Sequence, residues 1–99
     1  MASKYQQKII KEYQDKGCIV IKLAKTNHNG IADLLIGKEG EQTLLIECKE
    51  KKDTIKLLQI VQNEKIARIT GWKFIVMQDG IGELDLSQFR KQDFEEQPF

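Results

Sequence analysis

Two apolar stretches of this chain each contain an acidic residue, and the second also contains a lysine. Residues 30–36 read Gly-Ile-Ala-Asp-Leu-Leu-Ile, with Asp33 at the centre, and residues 44–49 read Leu-Leu-Ile-Glu-Cys-Lys. Side chains alternate between the two faces of a β-strand, so Glu47 and Lys49 share a face. If the two stretches pair as neighbouring strands, Asp33 joins them. Two carboxylates and a lysine form the smallest set suited to metal-assisted cleavage of a phosphodiester.

These residue types suit a hard divalent cation such as Mg²⁺, which prefers oxygen ligands and keeps several waters. Asp33 and Glu47 would supply two carboxylates, and the neighbouring strand carbonyl of Cys48 a third oxygen. Lys49 would orient the attacking water or stabilise negative charge on the phosphate. The alternative is a plain Glu47–Lys49 ion pair on the solvated face of an edge strand, where alternating polar residues are common. Asp33 favours the metal site because its stretch contains almost no other polar side chain.

The elements that must position these residues follow from the periodicity of apolar residues. Apolar stripes at helical spacing predict helices over residues 4–16, with Ser3 as N-cap, and 55–70, capped by Asp53 or Thr54. β-branched and apolar stretches bounded by polar turns predict strands over residues 18–23, 31–37, 43–49 and 72–77. Five residues are expected to form the apolar face of the second helix: Ile55, Leu58, Val61, Ile66 and Ile69.

The connections between these elements predict the topology of the sheet. Short polar links join the first three strands, which favours an antiparallel meander. The second helix connects the third and fourth strands, so a right-handed crossover would make those two strands parallel. Residues 78–83 read as a turn, and Ser87 would cap a short helix that ends at Phe94. Trp72 and Phe74 are expected in the core.

Composition bounds the size of the domain and its partners. The 99 residues form one small domain, residues 1–99, and no apolar stretch is long enough to cross a membrane. The N-terminus has no apolar signal region, which argues against secretion. Cys18 and Cys48 read as small buried hydrophobes of a reducing compartment, and a disulfide between them is not implied. A net charge of +1 argues against binding nucleic acid by charge alone, although lysines cluster locally after residue 48.

Asp33, followed by Glu47-Cys48-Lys49 on the next strand, resembles the PD-(D/E)xK nuclease signature. The glycine and apolar residues around Asp33, together with Gln59 in the following helix, are most similar to small VRR-NUC-type domains. The resemblance spans roughly residues 9–77. It implies an α/β fold with a restriction-endonuclease-like core: a mixed four-stranded sheet flanked by helices, in αβββαβ order, with a short C-terminal extension.

The resemblance also implies roles for individual residues. Asp33 and Glu47, with the Cys48 carbonyl, would bind Mg²⁺ or Mn²⁺, Lys49 would be the catalytic lysine, and Gln59 would support the site. Two positions depart from the family pattern. Ala32 stands where a proline usually precedes the acid. The first helix has glutamines where the family commonly has an acid that faces the site, so Glu12 is either an extra metal ligand or a solvated helix residue.

The activity implied by the resemblance is divalent-metal-dependent endonucleolytic cleavage of DNA. A domain of this size has little surface for reading bases, so cleavage selective for branched, flap or junction structures is expected rather than sequence-specific cleavage. The main alternative is a nucleic-acid-binding module that kept the fold without cleavage. A small structural or partner-binding domain is the third possibility.

Further expectations concern partners and location. Several basic side chains could contact a nucleic-acid backbone, although His28 also reads as a solvent-exposed loop residue: Lys22, Lys25, His28, Lys51, Lys52 and Lys56. Four apolar residues near the C-terminus could form a two-fold homodimer interface: Leu84, Leu86, Phe89 and Phe94. The expected location is the cytoplasm of a prokaryotic or phage-infected cell.

Overall fold

A mixed five-stranded sheet with a helix against each face makes up the computed structural model, which describes residues 3–87. The elements are α1 (Lys4–Asp15), β1 (Ile19–Lys22), β2 (Leu34–Gly37), β3 (Leu44–Lys49), α2 (Leu57–Thr70), β4 (Lys73–Gln78) and β5 (Gly82–Glu83). The strands follow one another across the sheet in chain order. β3 and β4 are parallel, and the other neighbours are antiparallel. The predicted meander and parallel crossover are therefore confirmed.

α1 forms where the sequence predicts it. The Ser3 hydroxyl accepts a hydrogen bond from the Gln6 backbone N–H at 3.0 Å, which is a side-chain N-cap worth about 1 kcal/mol. The helix ends just before Gly17, whose φ of 86° is easily adopted only by glycine. Tyr5 and Ile9 are buried against the sheet. The predicted apolar stripe is the face that packs.

β2 begins three residues later than expected, at Leu34 instead of Ile31. Asp33 therefore immediately precedes the strand instead of lying within it. The physical reason is a competing partner, since the N–H of Ala32 donates to the side chain of Asn63 in α2 rather than to a neighbouring strand. β5 is the other difference, because Gly82 and Glu83 were expected in a turn and instead pair with the end of β4.

The core is divided between the two faces of the sheet. On the α2 face the buried residues come from both layers and from the segment after β5: Ala32, Leu45, Ile60, Ala67, Phe74, Val76 and Leu86. On the α1 face the buried residues are Tyr5, Ile9, Leu34, Ile36, Ile46 and Ile75. Phe74 is in the core as predicted, and Trp72 packs against it. Cys18 and Cys48 are free and half-buried against the α1-side core.

α2 differs from its prediction in both its start and its buried face. It begins at Leu57 after an N-cap, Lys56, that makes no side-chain hydrogen bond, so the predicted Asp53 or Thr54 cap is wrong. Leu58 and Ile69, expected in the core, are 63% and 71% exposed. The buried residues are instead Ile60, Asn63 and Ala67. Apolar residues surround this helix on most sides, so their spacing alone did not define the packed face.

The start of the C-terminal segment belongs to the core. Leu86 is buried in the α2-side cluster and Leu84 packs against it half-buried. Leu86 therefore has almost no free surface for a dimer, whereas Leu84 keeps part of its surface. Phe89 and Phe94, with the short helix predicted to end there, lie outside the described residues. Neither α1 nor α2 is long and apolar enough to cross a membrane, and no other helix of residues 3–87 is.

Candidate active site

The antiparallel pairing of β2 with β3 brings the two predicted acids together. Leu34 pairs with Ile46, and continuing this register by one residue places Asp33 opposite Glu47. Opposed residues of an antiparallel pair project from the same face of the sheet. The Cys48 backbone N–H donates to Asp33 Oδ2 at 2.9 Å, which fixes the carboxylate against β3. Both acids therefore lie on the α2 side of the sheet.

Glu47 is the most buried charged residue of the site, with 5% exposure. Its Oε2 atom accepts from the Gln59 amide at 3.0 Å and lies 3.2 Å from Lys49 Nζ. Its other oxygen, Oε1, is buried and has no hydrogen-bond partner. Leaving a buried carboxylate oxygen unpaired is costly. That oxygen is available to a ligand that binds between the two acids.

The electrostatics of Glu47 also favour a bound cation. Burial first, and then the nearby charge of Asp33, raise the pKa of the Glu47 carboxyl to about 6, against the opposing effects of Lys49 and Gln59. At neutral pH Glu47 therefore carries a poorly solvated negative charge next to that of Asp33. A positive ion between the carboxylates would relieve both the repulsion and the lost solvation.

The ligand set is small. Within residues 3–87, no three side chains of Asp, Glu, His or Cys group closely enough to hold a metal ion. The candidate ligands are therefore Asp33, Glu47 and a backbone oxygen. In a strand the N–H and C=O of one residue point to the same side, so the Cys48 carbonyl faces the side of Asp33. Burial, followed by nearby acids, raises the pKa of the Cys48 thiol to about 12, so the sulfur stays protonated.

Hard oxygen donors of this kind fit Mg²⁺ or Mn²⁺ and not a thiolate-binding metal. The unpaired Glu47 oxygen carries this conclusion, because it is a buried anionic acceptor without a hydrogen-bond donor. Such a cation would have few protein ligands and would keep several waters, as Mg²⁺ commonly does.

A buried asparagine that sequence reasoning missed completes the site. Asn63 has no exposed surface, and its side chain bonds to three backbone groups. Asn63 Oδ1 accepts from the Ala32 N–H at 2.9 Å, and Nδ2 donates to the Gly30 and Gln59 carbonyls at 3.0 and 2.7 Å. Asn63 follows Gln59 by one helical turn, so a polar pair at this spacing was the available signal.

Glu12 does not join the two acids. Its side chain is exposed on α1, and α1 packs on the face of the sheet opposite to Glu47. The absence of a three-residue ligand group within the described residues agrees with this placement. Of the two interpretations of Glu12, the structure therefore agrees with a solvated helix residue and not with an extra metal ligand.

The predicted nucleic-acid contacts all lie at the surface: Lys22, Lys25, His28, Lys51, Lys52 and Lys56. Lys51 and Lys52 occupy the turn directly after β3, which Gln78 ties to β4 by donating to the carbonyls of residues 50, 51 and 53. His28 lies in the loop before the site and lines a cavity of about 400 Å³ with Gln62 and Lys65. Exposure leaves these side chains accessible to a phosphate backbone.

No protein-family model matches the chain, and no curated protein matches it. Solved structures that resemble its fold include the following two. One is Hjc, a Holliday junction resolvase from the archaeal hyperthermophile Archaeoglobus fulgidus, with a TM-score of 0.65 and 20% identity over 78% of this chain. The match spans 66% of the resolvase. The other is a VRR_NUC domain, with a TM-score of 0.59 and 20% identity over 97% of this chain and 95% of the domain.

The fold that the chain shares with the Holliday junction resolvase and the VRR_NUC domain confirms the predicted restriction-endonuclease-like fold. The sheet has the four predicted strands and a short fifth strand at its edge. At 20% identity these likenesses establish the fold alone. The activity of the chain has to be argued from its own residues.

Proposed function

We propose that this protein is a divalent-metal-dependent endonuclease that hydrolyses DNA phosphodiesters. The observation that carries the proposal is the buried Glu47 carboxylate, which lies opposite Asp33, contacts Lys49, and keeps one oxygen unpaired. Lys49 and Gln59 both contact Oε2, so neither of them compensates for the burial of Oε1. The fold likeness to two nucleases supports the same conclusion.

Each side chain of the site has a distinct task in this proposal. Asp33, Glu47 and the Cys48 carbonyl would hold the cation, which when bound would offset phosphate charge and lower the pKa of water. The Gln59 amide holds Glu47 Oε2 and leaves Oε1 unpaired. The Lys49 side chain is 15% exposed, so its ammonium can meet a phosphate oxygen or orient the attacking water.

The proposed substrate is branched, flap or junction DNA. A sheet face covered by one short helix offers few side chains that could read bases in a groove. The exposed lysines after β3 would bind the phosphate backbone, which gives affinity without sequence selection. The likeness to a Holliday junction resolvase favours a junction among these substrates. A homodimer, with one site for each strand, stays a prediction, as does the cytoplasm of a prokaryotic or phage-infected cell.

The test is cleavage of four-way junction, flap and plain duplex DNA, with Mg²⁺, with Mn²⁺ and with EDTA. We expect cleavage of the branched substrates that requires metal and is lost in Lys49→Ala. Lys8→Ala is the matched control, because Lys8 is exposed on α1, away from the site. Cleavage that persists in Lys49→Ala, or in EDTA, would contradict the proposal.

One observation favours the alternative of a non-catalytic nucleic-acid-binding module. The described residues provide only two acidic ligands, without a third from α1. The same substrates separate the two functions. Binding of junction DNA at low salt without cleavage in either metal would support the module, while absence of any DNA binding would indicate a structural or partner-binding domain.

A further inference from the structure

The backbone before Asp33 is held by a side chain from the second helix. Asn63 is fully buried and makes hydrogen bonds to the Ala32 N–H and the Gly30 carbonyl. These are the donor and acceptor that a neighbouring strand would otherwise satisfy, because β2 begins only at Leu34. The single side chain therefore replaces a strand at this point.

Asp33 is fixed on its other side by the sheet. Its own carbonyl accepts from the Leu23 N–H at 2.8 Å, and its carboxylate accepts from the Cys48 N–H at 2.9 Å. Any remaining conformational freedom of Asp33 comes from the backbone of the residues just before it. Asn63 bonds on both sides of Ile31 and removes that freedom.

The residue before the acid makes this arrangement specific to the present chain. The signature that the sequence resembles has a proline there, which fixes φ near −65° and has no N–H. Ala32 has no ring to fix φ, and it has a backbone N–H. Because this N–H is buried, it needs a hydrogen-bond acceptor. Asn63 Oδ1 provides the acceptor.

Asn63 also connects the two halves of the site. Its Nδ2 donates to the Gln59 carbonyl at 2.7 Å, and the Gln59 amide donates to Glu47. One asparagine thus contacts the backbone next to Asp33 and the residue that holds Glu47. A change at Asn63 would reach both acids.

We propose that Asn63 is a positioning residue that replaces the missing proline and aims Asp33 at the Cys48 amide and at the cation. The cation part of this inference rests on the proposed function. The orientation of Asp33 toward Cys48 does not, because that hydrogen bond joins two groups of the protein itself.

The first experiment compares Asn63→Ala with Ile9→Ala. Ile9 is buried in the core on the opposite face of the sheet, so its variant reports a general loss of stability. Two measurements are made: amide hydrogen exchange of Cys48 in EDTA, and Mn²⁺ affinity by electron paramagnetic resonance. Both are compared at equal distance below each variant's unfolding temperature.

We expect Cys48 exchange to accelerate and Mn²⁺ affinity to fall roughly 10- to 100-fold in Asn63→Ala only, as for other residues that orient metal ligands. Equal effects in Ile9→Ala would overturn the positioning role, since both would then follow from lost stability. If the wild type binds no Mn²⁺ yet Cys48 exchange responds to Asn63→Ala, the positioning role stands and the cation proposal fails.

The second experiment restores the proline. Ala32→Pro alone should lower Mn²⁺ affinity and stability, because its ring replaces the N–H that faces Asn63 Oδ1 at 2.9 Å. In the double variant Ala32→Pro/Asn63→Ala, the proline ring can occupy the volume that the Asn63 side chain fills in the wild type. Residue 32 then has no N–H that would need an acceptor. We expect the double variant to bind Mn²⁺ more tightly than Asn63→Ala. A double variant no better than Asn63→Ala would overturn the proposal, as would failure of both to fold while Ile9→Ala folds.

Discussion

Replacing Glu47 by glutamine should stabilise the metal-free protein while it abolishes the response to metal. Burial, aided by the charge of Asp33, raises the pKa of the Glu47 carboxyl from 4.5 to about 6. A carboxyl that binds its proton more tightly in the folded state makes the protein less stable as pH rises from about 4.5 to about 6. Above that range the loss is constant. Glutamine keeps the shape of the side chain and removes the charge.

The size of the effect follows from the shift in pKa. One pKa unit corresponds to about 1.4 kcal/mol, so the ionised Glu47 carboxylate costs about 2 kcal/mol at pH 7.5 in the metal-free protein. This figure already includes the attraction of Lys49, 3.2 Å from Glu47, because Lys49 lowers the pKa of Glu47. Each gain of about 1 kcal/mol would raise the Tm by roughly 4–8 °C in a domain of this size.

The assay is thermal unfolding by circular dichroism at pH 7.5, in EDTA and in Mn²⁺. Glu47→Gln should unfold at a higher temperature than the wild type in EDTA, and Mn²⁺ should stabilise only the wild type. The advantage of the variant should vanish near pH 4.5. Glu39→Gln is the control, because Glu39 is exposed and follows the end of β2 opposite to the end that Asp33 precedes. A lower Tm for Glu47→Gln in EDTA, or an unchanged response to Mn²⁺, would refute the reasoning.

Three further predictions follow from other features. Below about pH 6, where Glu47 gains its proton, Mn²⁺ affinity measured by calorimetry should fall up to about tenfold per pH unit. An affinity that does not change with pH would contradict this prediction. Gly30→Ala should lower Tm more than Gly40→Ala, because both have positive φ but only a Cβ at Gly30 would collide with Gln62. Gln78→Ala should accelerate amide exchange in residues 50–53, which lose its hydrogen bonds, without a matching change in α1.

The spacing of Asp33 and Glu47 in the sequence was enough to predict that they lie opposite each other on neighbouring strands. Alternation along β3 placed Glu47 and Lys49 on one face, and a short link to the preceding strand placed Asp33 opposite. Ser3 at the start of α1 was equally informative, because an N-cap is a contact between residues close in sequence. The sheet order followed from the lengths of the connections.

The packed side of α2 could not be predicted in the same way. Its apolar residues do not form one stripe, so tertiary contacts decided which residues are buried, and Leu58 and Ile69 were left exposed. Asn63 is buried because it bonds to the backbone before Asp33. That partner segment is distant in sequence, so the polar pair Gln59 and Asn63 could mark a polar face of α2 but could not identify the backbone that Asn63 contacts.

The distances along the chain between the site's partners bear on when the site takes shape during synthesis. Asp33 and Cys48 are 15 positions apart, whereas Ala32 and Asn63 are 31 apart. A ribosome-bound chain can therefore pair β2 with β3 before the helix that carries Asn63 has emerged. In such an incomplete chain Asp33 and Glu47 would be adjacent, but the backbone before Asp33 would lack its hydrogen bonds to Asn63. That backbone would gain these hydrogen bonds only after residue 63 has left the exit tunnel.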